Sequence, residues 1–536
     1  MKSLFSIEPF GGVDEIGSNM TLIATHNYNI IIDVGILFPY EDFFDIKYLI
    51  PDFSKIEDDK ELIIIFTHGH EDHIGASAHF FAKFPHAKAY APAFAKALIH
   101  KKLAEANLGQ KIELITEDLN LHFDNLEFSF VHVNHSIPDT YGVLFRDNQK
   151  VYSACFISDF KVDLDPVYEK PINFSKIIEW YQGHQHKLFF ADSTNILNPS
   201  KTPSEKALIP ALAKLIAEKR RTFITLFASN IHRIQSIYDA CLEHGKKLIV
   251  VGRSTNFYIE VAKSLGHLPL SMKYYDIDQV EDLNAANNVF IISGCQGDFR
   301  SALRRFAFKE NNKLKPTKGD LFVFSSKTIP GNEKKVNRVM NELTKAGVDI
   351  ITASDELVHA SGHPAQEDLK IFIDTCKPNT YFPIHGESFF LERHFQFIKK
   401  FYPHINPILI HNFEKILFSD NEIKIIPQES HEPLLIHGKA IEIERERISE
   451  RRKLATLGSI FISFTKENEK FSFTLKGLPS LVDEFTPKVE SLLLRLFRAE
   501  LRKKNDDEIA EEMRIYTRRF YNSHLGYKPV VIVHIC

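Results

Sequence analysis

The run His68-Gly69-His70-Glu71-Asp72-His73 places three imidazoles and a carboxylate side by side with no thiolate. Two imidazoles two positions apart, in a loop leaving a strand, can chelate one metal ion from the same side. The adjacent Asp72-His73 pair turns toward a second position. Gly69 and Gly75 let the backbone wrap tightly. Imidazole plus carboxylate without sulfur suits zinc, with manganese as its competitor. The bland alternative is a polar loop that happens to be His-rich. Three His and one Asp directly after a buried strand weigh against it.

Two metals need further ligands from later loops. His135 stands in Val133-Asn134-His135-Ser136-Ile137-Pro138-Asp139, Asp159 in Ser158-Asp159-Phe160-Lys161, and His385 in Phe382-Pro383-Ile384-His385-Gly386-Glu387. Each follows an apolar run, as a strand-end ligand would. Taken singly, each would more often be a surface or packed residue; beside the His-rich loop the balance reverses.

The elements that must hold these residues can be read from periodicity. Thr21–Ala24, Ile30–Val34 and Leu62–Phe66 read as strands, the last running straight into the motif. Helices are expected over 73–83 and 92–107, and strands over 126–133, 141–146, 151–157 and 187–191. From about 203 the rhythm changes. Thr202-Pro203-Ser204-Glu205 looks like a helix start. Strands at Thr222–Phe227, Leu248–Val251 and Val289–Ser293 then alternate with helices near 231–244 and 255–264, the pattern of a parallel sheet covered by helices. Residues 359–426 return to the first style. The charge-rich stretch 428–456 reads as a linker, bounded as 429–447 in the domain division. The end of the chain shows a strand pair (458–464, 470–475), charged helices over 482–524 and a last strand, Val530–Ile535.

Size and composition set limits. A chain of 536 residues implies roughly two to four domains. With 44% hydrophobic and 25% charged residues it reads as a globular protein. No apolar run reaches the ~18 residues that span a bilayer, and Met1 to Ser6 does not open a signal peptide. Five scattered cysteines argue against a disulfide framework or a zinc knuckle and for a reducing cytoplasm. The formal charge of -4 does not look like a nucleic-acid-binding protein, yet net charge is a poor guide where only a channel binds.

With those residues placed, the chain resembles the ribonuclease J family, of the β-CASP branch of metallo-β-lactamase nucleases. The resemblance runs from Gly11-Gly12-Val13-Asp14-Glu15-Ile16-Gly17-Ser18-Asn19-Met20 to the C-terminus. It includes Thr67 to Gly75, Asn134 to Asp139, Ser158 to Lys161, Asp192-Ser193-Thr194-Asn195, Phe227 to Arg233, Val251 to Ser254, Ile329 to Glu333 and His359 to His363. It implies an α/β fold: a metallo-β-lactamase αββα sandwich (1–203 and 357–428), an inserted β-CASP domain (204–356) and a small α+β C-terminal domain (448–536) that supports dimers or tetramers. By that resemblance His68, His70 and His135 hold one zinc, Asp72, His73 and His385 the other, and Asp159 bridges them; Mn2+ or Mg2+ could substitute. Asp33 and Asp192 orient the ligands from behind. Asp72, Asp159 and His363 carry the catalysis, with His363 on the scissile phosphate. Ser229, Asn230, His232, Arg233, His359, Ala360, Ser361, Gly362 and His363 are expected to bind RNA backbone and a 5′-monophosphate. Arg300, Arg304 and Arg305 could line an RNA channel despite the acidic total, and Arg451 to Lys453 and Arg495 to Lys504 add basic character later.

The expected activity is a cytoplasmic 5′-to-3′ exoribonuclease with endonuclease activity, acting in mRNA decay and rRNA maturation on single-stranded RNA with a free 5′ end. An RNA helicase or degradosome partner fits that role. Several positions depart from the family pattern. Ser158 stands where a Gly is usual, Cys295 and Asp298 where Ser and Glu are usual, and Ser326 to Ile329 also differ. None removes a catalytic group. A lactonase or thioesterase of the same fold is disfavoured by the inserted domain, a DNA-directed β-CASP nuclease by the C-terminal domain, and a non-catalytic scaffold by the complete ligand set.

Overall fold

A strand that is apolar on both faces needs a sheet covered on both sides. Glu61–Ile65 is such a strand, and its Ile63, Ile64 and Ile65 are fully buried. It lies in an eight-stranded sheet in the order Ile423–Pro427, Glu414–Phe418, Phe5–Gly11, Met20–Ala24, Tyr28–Ile32, Glu61–Ile65, Lys88–Ala91 and Ile112–Leu114. The computed structural model describes residues 4–39, 46–57, 59–329, 331–420, 422–429, 432–438 and 441–536. Pro330 and Met1 to Ser3, used in the sequence reading, lie outside the described residues.

A second sheet of seven strands faces the first, in the order Asn406–Pro407, Thr380–Ile384, His186–Asp192, Tyr152–Ile157, Tyr141–Asp147, Leu126–His132 and Leu121–Phe123. One core joins the two. Ile7, Ile23, Ile30 and Ile63 of the first sheet pack with Phe128, Phe145, Phe156, Phe190 and Phe382 of the second. The abundant Phe residues are spent here: Phe190 stacks on Phe382 with centroids 4.3 Å apart. The outer face of the second sheet packs on helices Phe174–Tyr181, Gln366–Cys376 and Ser388–Phe401 through Ile177, Phe372 and Ile398. Helices Ser77–Lys83 and Ala93–Glu105 contribute the buried Phe80, Phe81, Phe94 and Leu98. The result is an αββα sandwich.

The middle of the chain builds its own sheet of five parallel strands: Lys247–Val251, Asn288–Ile292, Thr222–Thr225, Leu321–Phe324 and Asp349–Ile351, in that spatial order. Every neighbouring pair is parallel. The crossover helices Ile231–Glu243, Arg253–Ser264, Ala302–Ala307 and Glu333–Lys345 supply its cover. The sandwich and this lobe belong to one compact unit, the described parts of residues 1–38 and 49–433.

A second unit comprises the described parts of 39–48 and 434–536. Its three-stranded sheet, in the order Lys470–Lys476, Ser459–Thr465 and Val530–Ile535, packs on helices Leu481–Leu496 and Asp506–Leu525. The stretch 429–447 is not the bare linker that its charge suggests. Leu434–His437 and Ile441–Glu442 pair as strands, and a helix runs from Arg445 to Leu457. Leu435 and Ile436 are buried, which a count of charged residues does not reveal. Among the described residues no helix is long and apolar enough to cross a membrane.

Backbone hydrogen bonds zip the metal-loop candidate to the segment that follows strand Tyr28–Ile32 and to Asn19. Val34 N donates to His73 O at 2.8 Å, Ile36 N to Glu71 O at 3.1 Å, and Asn19 N to Asp72 O at 3.0 Å. Gly35 sits inside this zip, where an added Cβ would lie 1.6 Å from the Asp72 carbonyl oxygen. The obstacle is backbone, so no side chain can swing away. Gly35→Ala should therefore push the 71–73 turn outward, lowering stability by about 1–3 kcal/mol as overpacked sites do. It should also weaken metal binding. Thermal unfolding and metal stoichiometry measure both, and a variant with full metal content would contradict this account.

Candidate metal centre

Four strands of the second sheet point the same way, so their C-terminal ends share one edge. Leu126–His132 leads to His135, Tyr152–Ile157 to Asp159, His186–Asp192 ends on Asp192, and Thr380–Ile384 leads to His385. From the first sheet, Glu61–Ile65 delivers His68 to His73 to the same place. His385 takes a left-handed backbone (φ 51°), sparse for a residue with a Cβ and typical of a site where position outweighs comfort.

The donor atoms form two sets around one carboxylate. His135 Nε2 and His68 Nε2 lie 3.4 and 3.9 Å from Asp159 Oδ2. His70 Nδ1 joins them, 3.0 Å from His135 Nε2 and 3.1 Å from His68 Nε2. The other oxygen, Asp159 Oδ1, lies 3.1 Å from His73 Nε2 and 3.3 Å from His385 Nε2. Asp72 Oδ2 is 3.6 Å from each of those two imidazoles. These atoms are close enough to share cations, as are Asp159, Asp192, His363 and His385.

The donor chemistry fits a divalent cation. Asp159 Oδ1 and His385 Nε2 are buried with no hydrogen-bond partner, a costly arrangement that an ion would relieve. Each imidazole is also oriented by its far nitrogen, as ligand imidazoles are. His73 Nδ1 meets Asp33 Oδ2 at 2.7 Å, His135 Nδ1 meets the Gly362 carbonyl at 2.7 Å, and His385 Nδ1 meets Thr194 Oγ1 at 2.8 Å. His68 Nδ1 meets Thr67 Oγ1 at 3.0 Å and His70 Nε2 meets Ser229 Oγ at 3.1 Å. Asp33 is itself fixed, accepting from Thr67 N and Thr67 Oγ1, each at 2.7 Å.

Burial presses His70 down to about 4 and His135 to about 3, with His68 lowered too, so these rings are neutral and ready to donate. Burial opposes charge on His73 and His385 as well, but Asp159 and its fellow carboxylates outweigh it, and His73 rises to about 10. The buried carboxylates therefore demand positive charge at this spot, from protons or from metal.

His363 faces the same centre, with Nδ1 2.7 Å from Asp192 Oδ2 and 3.7 Å from Asp159 Oδ2. Asp192 also accepts from Thr194 N at 2.8 Å. Burial works against a charged His363, and the two carboxylates outweigh it and raise its pKa. Ser361 Oγ accepts from His363 N at 3.1 Å, tightening the turn. Gly362 packs on His135 so closely that a Cβ would lie 2.7 Å from that ring.

The residues expected to bind RNA divide into two groups, with His359 apart from both. Ser229 touches His70, Gly362 touches His135, and His363 faces Asp159 and Asp192, while Ser361 contacts His363 N. Asn230, His232, Arg233 and Ala360 are buried, and the reading of their side chains as RNA contacts is corrected. Asn230 caps helix Ile231–Glu243, accepting from Arg233 N. His232 faces Glu169 of the sandwich at 3.9 Å. Arg233, only 1% exposed, donates to Glu205 at 2.6 Å, to Ser325 O at 2.7 Å and to Ala360 O at 3.2 Å. It is a strut holding the 358–363 turn. His359 Nδ1 lies 3.0 Å from Arg233 Nη1, and burial with the adjacent guanidinium drives His359 down to about 3. His359 is thus a neutral donor through Nε2, not a cation for phosphate. Cys295 is buried, and burial pushes its thiol up, which disfavours the thiolate.

Sequence reasoning gave no role to Thr194, Glu205 or Asn19, whose Nδ2 donates to Asp72 O at 3.1 Å. Thr194 follows Asp192 by two positions, the spacing of an Asx turn, which was the available signal. Glu205 carried none.

The family described as "Metallo-beta-lactamase superfamily" matches residues 13–152, "Ribonuclease J, beta-CASP domain" matches 219–343, and "Zn-dependent metallo-hydrolase RNA specificity domain" matches 347–408. Ribonuclease J of Sinorhizobium meliloti is 30% identical over 552 residues, covering 98% of this chain and 96% of its own. Ribonuclease J of Helicobacter pylori is 29% identical over 556 residues, 99% of this chain and 80% of its own. A crystal structure of a protein of unknown function from Enterococcus faecalis V583 superposes with a TM-score of 0.56 at 15% identity, covering 77% of this chain and 100% of its own. That last likeness concerns the fold.

The buried pair under the turn generates a test. Burial alone would raise Glu205, but Arg233 and Lys161 outweigh it and lower it from 4.5 to about 2. A lowered carboxylate contributes stability in full above its unfolded pKa of 4.5, and loses it as pH falls toward about 2. Glu205→Gln should cost about 3–5 kcal/mol at neutral pH, because it strands a buried guanidinium. The gap from the parent in urea unfolding should narrow below pH 4.5. A gap independent of pH would show that the charge is not the cause.

Proposed function

The chain belongs to the ribonuclease J family, and from that premise we propose that it hydrolyses RNA phosphodiester bonds with two divalent ions, zinc in first place. The observation that carries this reading is the division of the Asp159 carboxylate, one oxygen toward His68, His70 and His135 and the other toward His73, His385 and Asp72. Two such sets on one bridging carboxylate suit a pair of ions far better than a single one. Bound there, the pair would supply a nucleophilic water of lowered pKa and a clamp on phosphate oxygens.

The chain's own residues supply the rest. Asp33 and Thr194 hold ligand imidazoles by their far nitrogens, so those rings do not reorient during turnover. With Nδ1 on Asp192, His363 presents Nε2 to the substrate and can donate to charge that builds on the scissile phosphate. The Ser361-Gly362 turn brings backbone to the same point. The 5′-to-3′ direction, the preference for a 5′-monophosphate and the accompanying endonuclease activity rest on the family. So do a cytoplasmic role in mRNA decay and rRNA maturation, assembly as a dimer or tetramer, and a helicase or degradosome partner.

Digestion of one RNA bearing a 5′-monophosphate, a 5′-triphosphate or a 5′-hydroxyl, beside a DNA of the same sequence, tests the reading. The monophosphate form should be degraded fastest and the DNA spared; equal activity on DNA would sink the ribonuclease assignment. His363→Ala should lower kcat by about 10²–10³ while leaving metal content intact, the size expected for one lost transition-state donor. Asp72→Ala with His73→Ala should abolish both metal content and activity.

A further inference from the structure

Phe299 is the most exposed aromatic side chain among the described residues, at 74%. It follows Gly294-Cys295-Gln296-Gly297-Asp298, in the loop leaving strand Asn288–Ile292. That strand lies beside Thr222–Thr225 in an all-parallel sheet, so the loops after both strands emerge at one edge. The loop after Thr222–Thr225 carries Ser229, which touches His70 of the metal centre. Phe299 therefore stands on the same rim that supplies the site. Ligands of parallel sheets bind at this edge.

A lone exposed hydrophobe needs no explanation, but this one is braced. The Arg304 guanidinium lies 4.3 Å from the Phe299 ring centroid and 4.4 Å from that of Phe308. Arg304 is itself pinned by Glu310 at 3.2 Å and by Phe299 O at 3.4 Å. One face of the ring is thus backed by a fixed cation while most of the side chain meets solvent. Exposed Arg300, Arg305 and Lys309 lie on the same segment, beside the exposed Asp298 and Glu310. Gln296 ties the 325–332 loop to this one, donating to Lys327 O at 3.0 Å and accepting from Ile329 N at 2.8 Å. An exposed aromatic face backed by a cation, with further exposed arginines on the same segment, is the chemistry that single-stranded nucleic acid recognises: rings take bases, cations take phosphates.

We propose that Phe299, backed by Arg304, is a stacking platform for a nucleobase of the single-stranded RNA that the metal centre cuts. The platform rests on the ribonuclease reading and deepens it. It reads no sequence, since every base offers a π-face, and it holds the strand away from the scissile bond. Its loss therefore affects capture and not the chemical step.

The test uses the full chain loaded with metal and a cleavage-resistant 2′-O-methyl oligoadenylate of about ten nucleotides. Phe299→Ala should raise Kd roughly tenfold, with the melting temperature and the kcat on saturating RNA unchanged. Phe299→Trp should keep the parental affinity, and its new fluorescence should be quenched when the oligonucleotide binds. Arg300→Ala and Arg305→Ala should instead flatten the salt dependence of binding. If the parent binds and Phe299→Ala binds equally well, or if an abasic oligonucleotide binds as tightly as oligoadenylate, the platform is overturned while the ribonuclease reading stands. If the parent binds no RNA at all, both fall.

Discussion

Imidazole lone pairs do not approach one another without cause. Here His70 Nδ1 lies within 3.1 Å of two other ring nitrogens, and buried carboxylates crowd the same space. Only protons or metal ions can make such a cluster cohere, and the far nitrogen of each ring is already committed. His73 and His385 rise while His68, His70 and His135 fall, which is the signature of carboxylates seeking whatever positive charge they can find. The rest of the unit is arranged to keep this unfavourable gathering in place. Two sheets share a Phe-rich core, and their strand ends deliver the donors.

Holding a cluster is a different task from using it. A cation pair with open access could serve many hydrolases; the parallel-sheet lobe narrows the choice. It touches the centre through Ser229 and is tied to the sandwich elsewhere by His267 on Asp139 at 3.0 Å and Tyr168 on Asp239 at 2.6 Å. Arg233 then joins helix Ile231–Glu243 to the turn that carries His363. The candidate metal ligands and His363 are thereby set by one connected framework, within a single compact unit.

Much of this was legible in the residues, for a physical reason. Thr67 to His73 is local: its chemistry and its preceding strand lie within a few positions, and period-two or apolar runs mark the flanking strands well. His135, Asp159 and His385 carry no local signal beyond a preceding apolar run, so their place came from resemblance across the chain. Arg233 was placed on RNA by the resemblance of the segment ending at it, which carries no sign of burial. Its burial depends on Glu205, Ser325 and Ala360, which only the folded chain brings together. The stretch 429–447 misled for the opposite reason: its charges are plain in the sequence, while the pairing of Leu434–His437 with Ile441–Glu442 is not.

The burial of Arg233 shows how such a site is built. A guanidinium on the RNA surface would contribute affinity that salt screens away. The same guanidinium, buried against Glu205, contributes no direct contact but fixes two backbone carbonyls and the proton position of His359. Preorganisation of this kind acts on the transition state, because a donor already in place needs no reorganisation when charge develops. On the proposed reading, the cations left for RNA are exposed ones such as Arg300 and Arg305. A formal charge of -4 is compatible with RNA binding on those terms: the local sign at the rim, and not the total, matters to the strand.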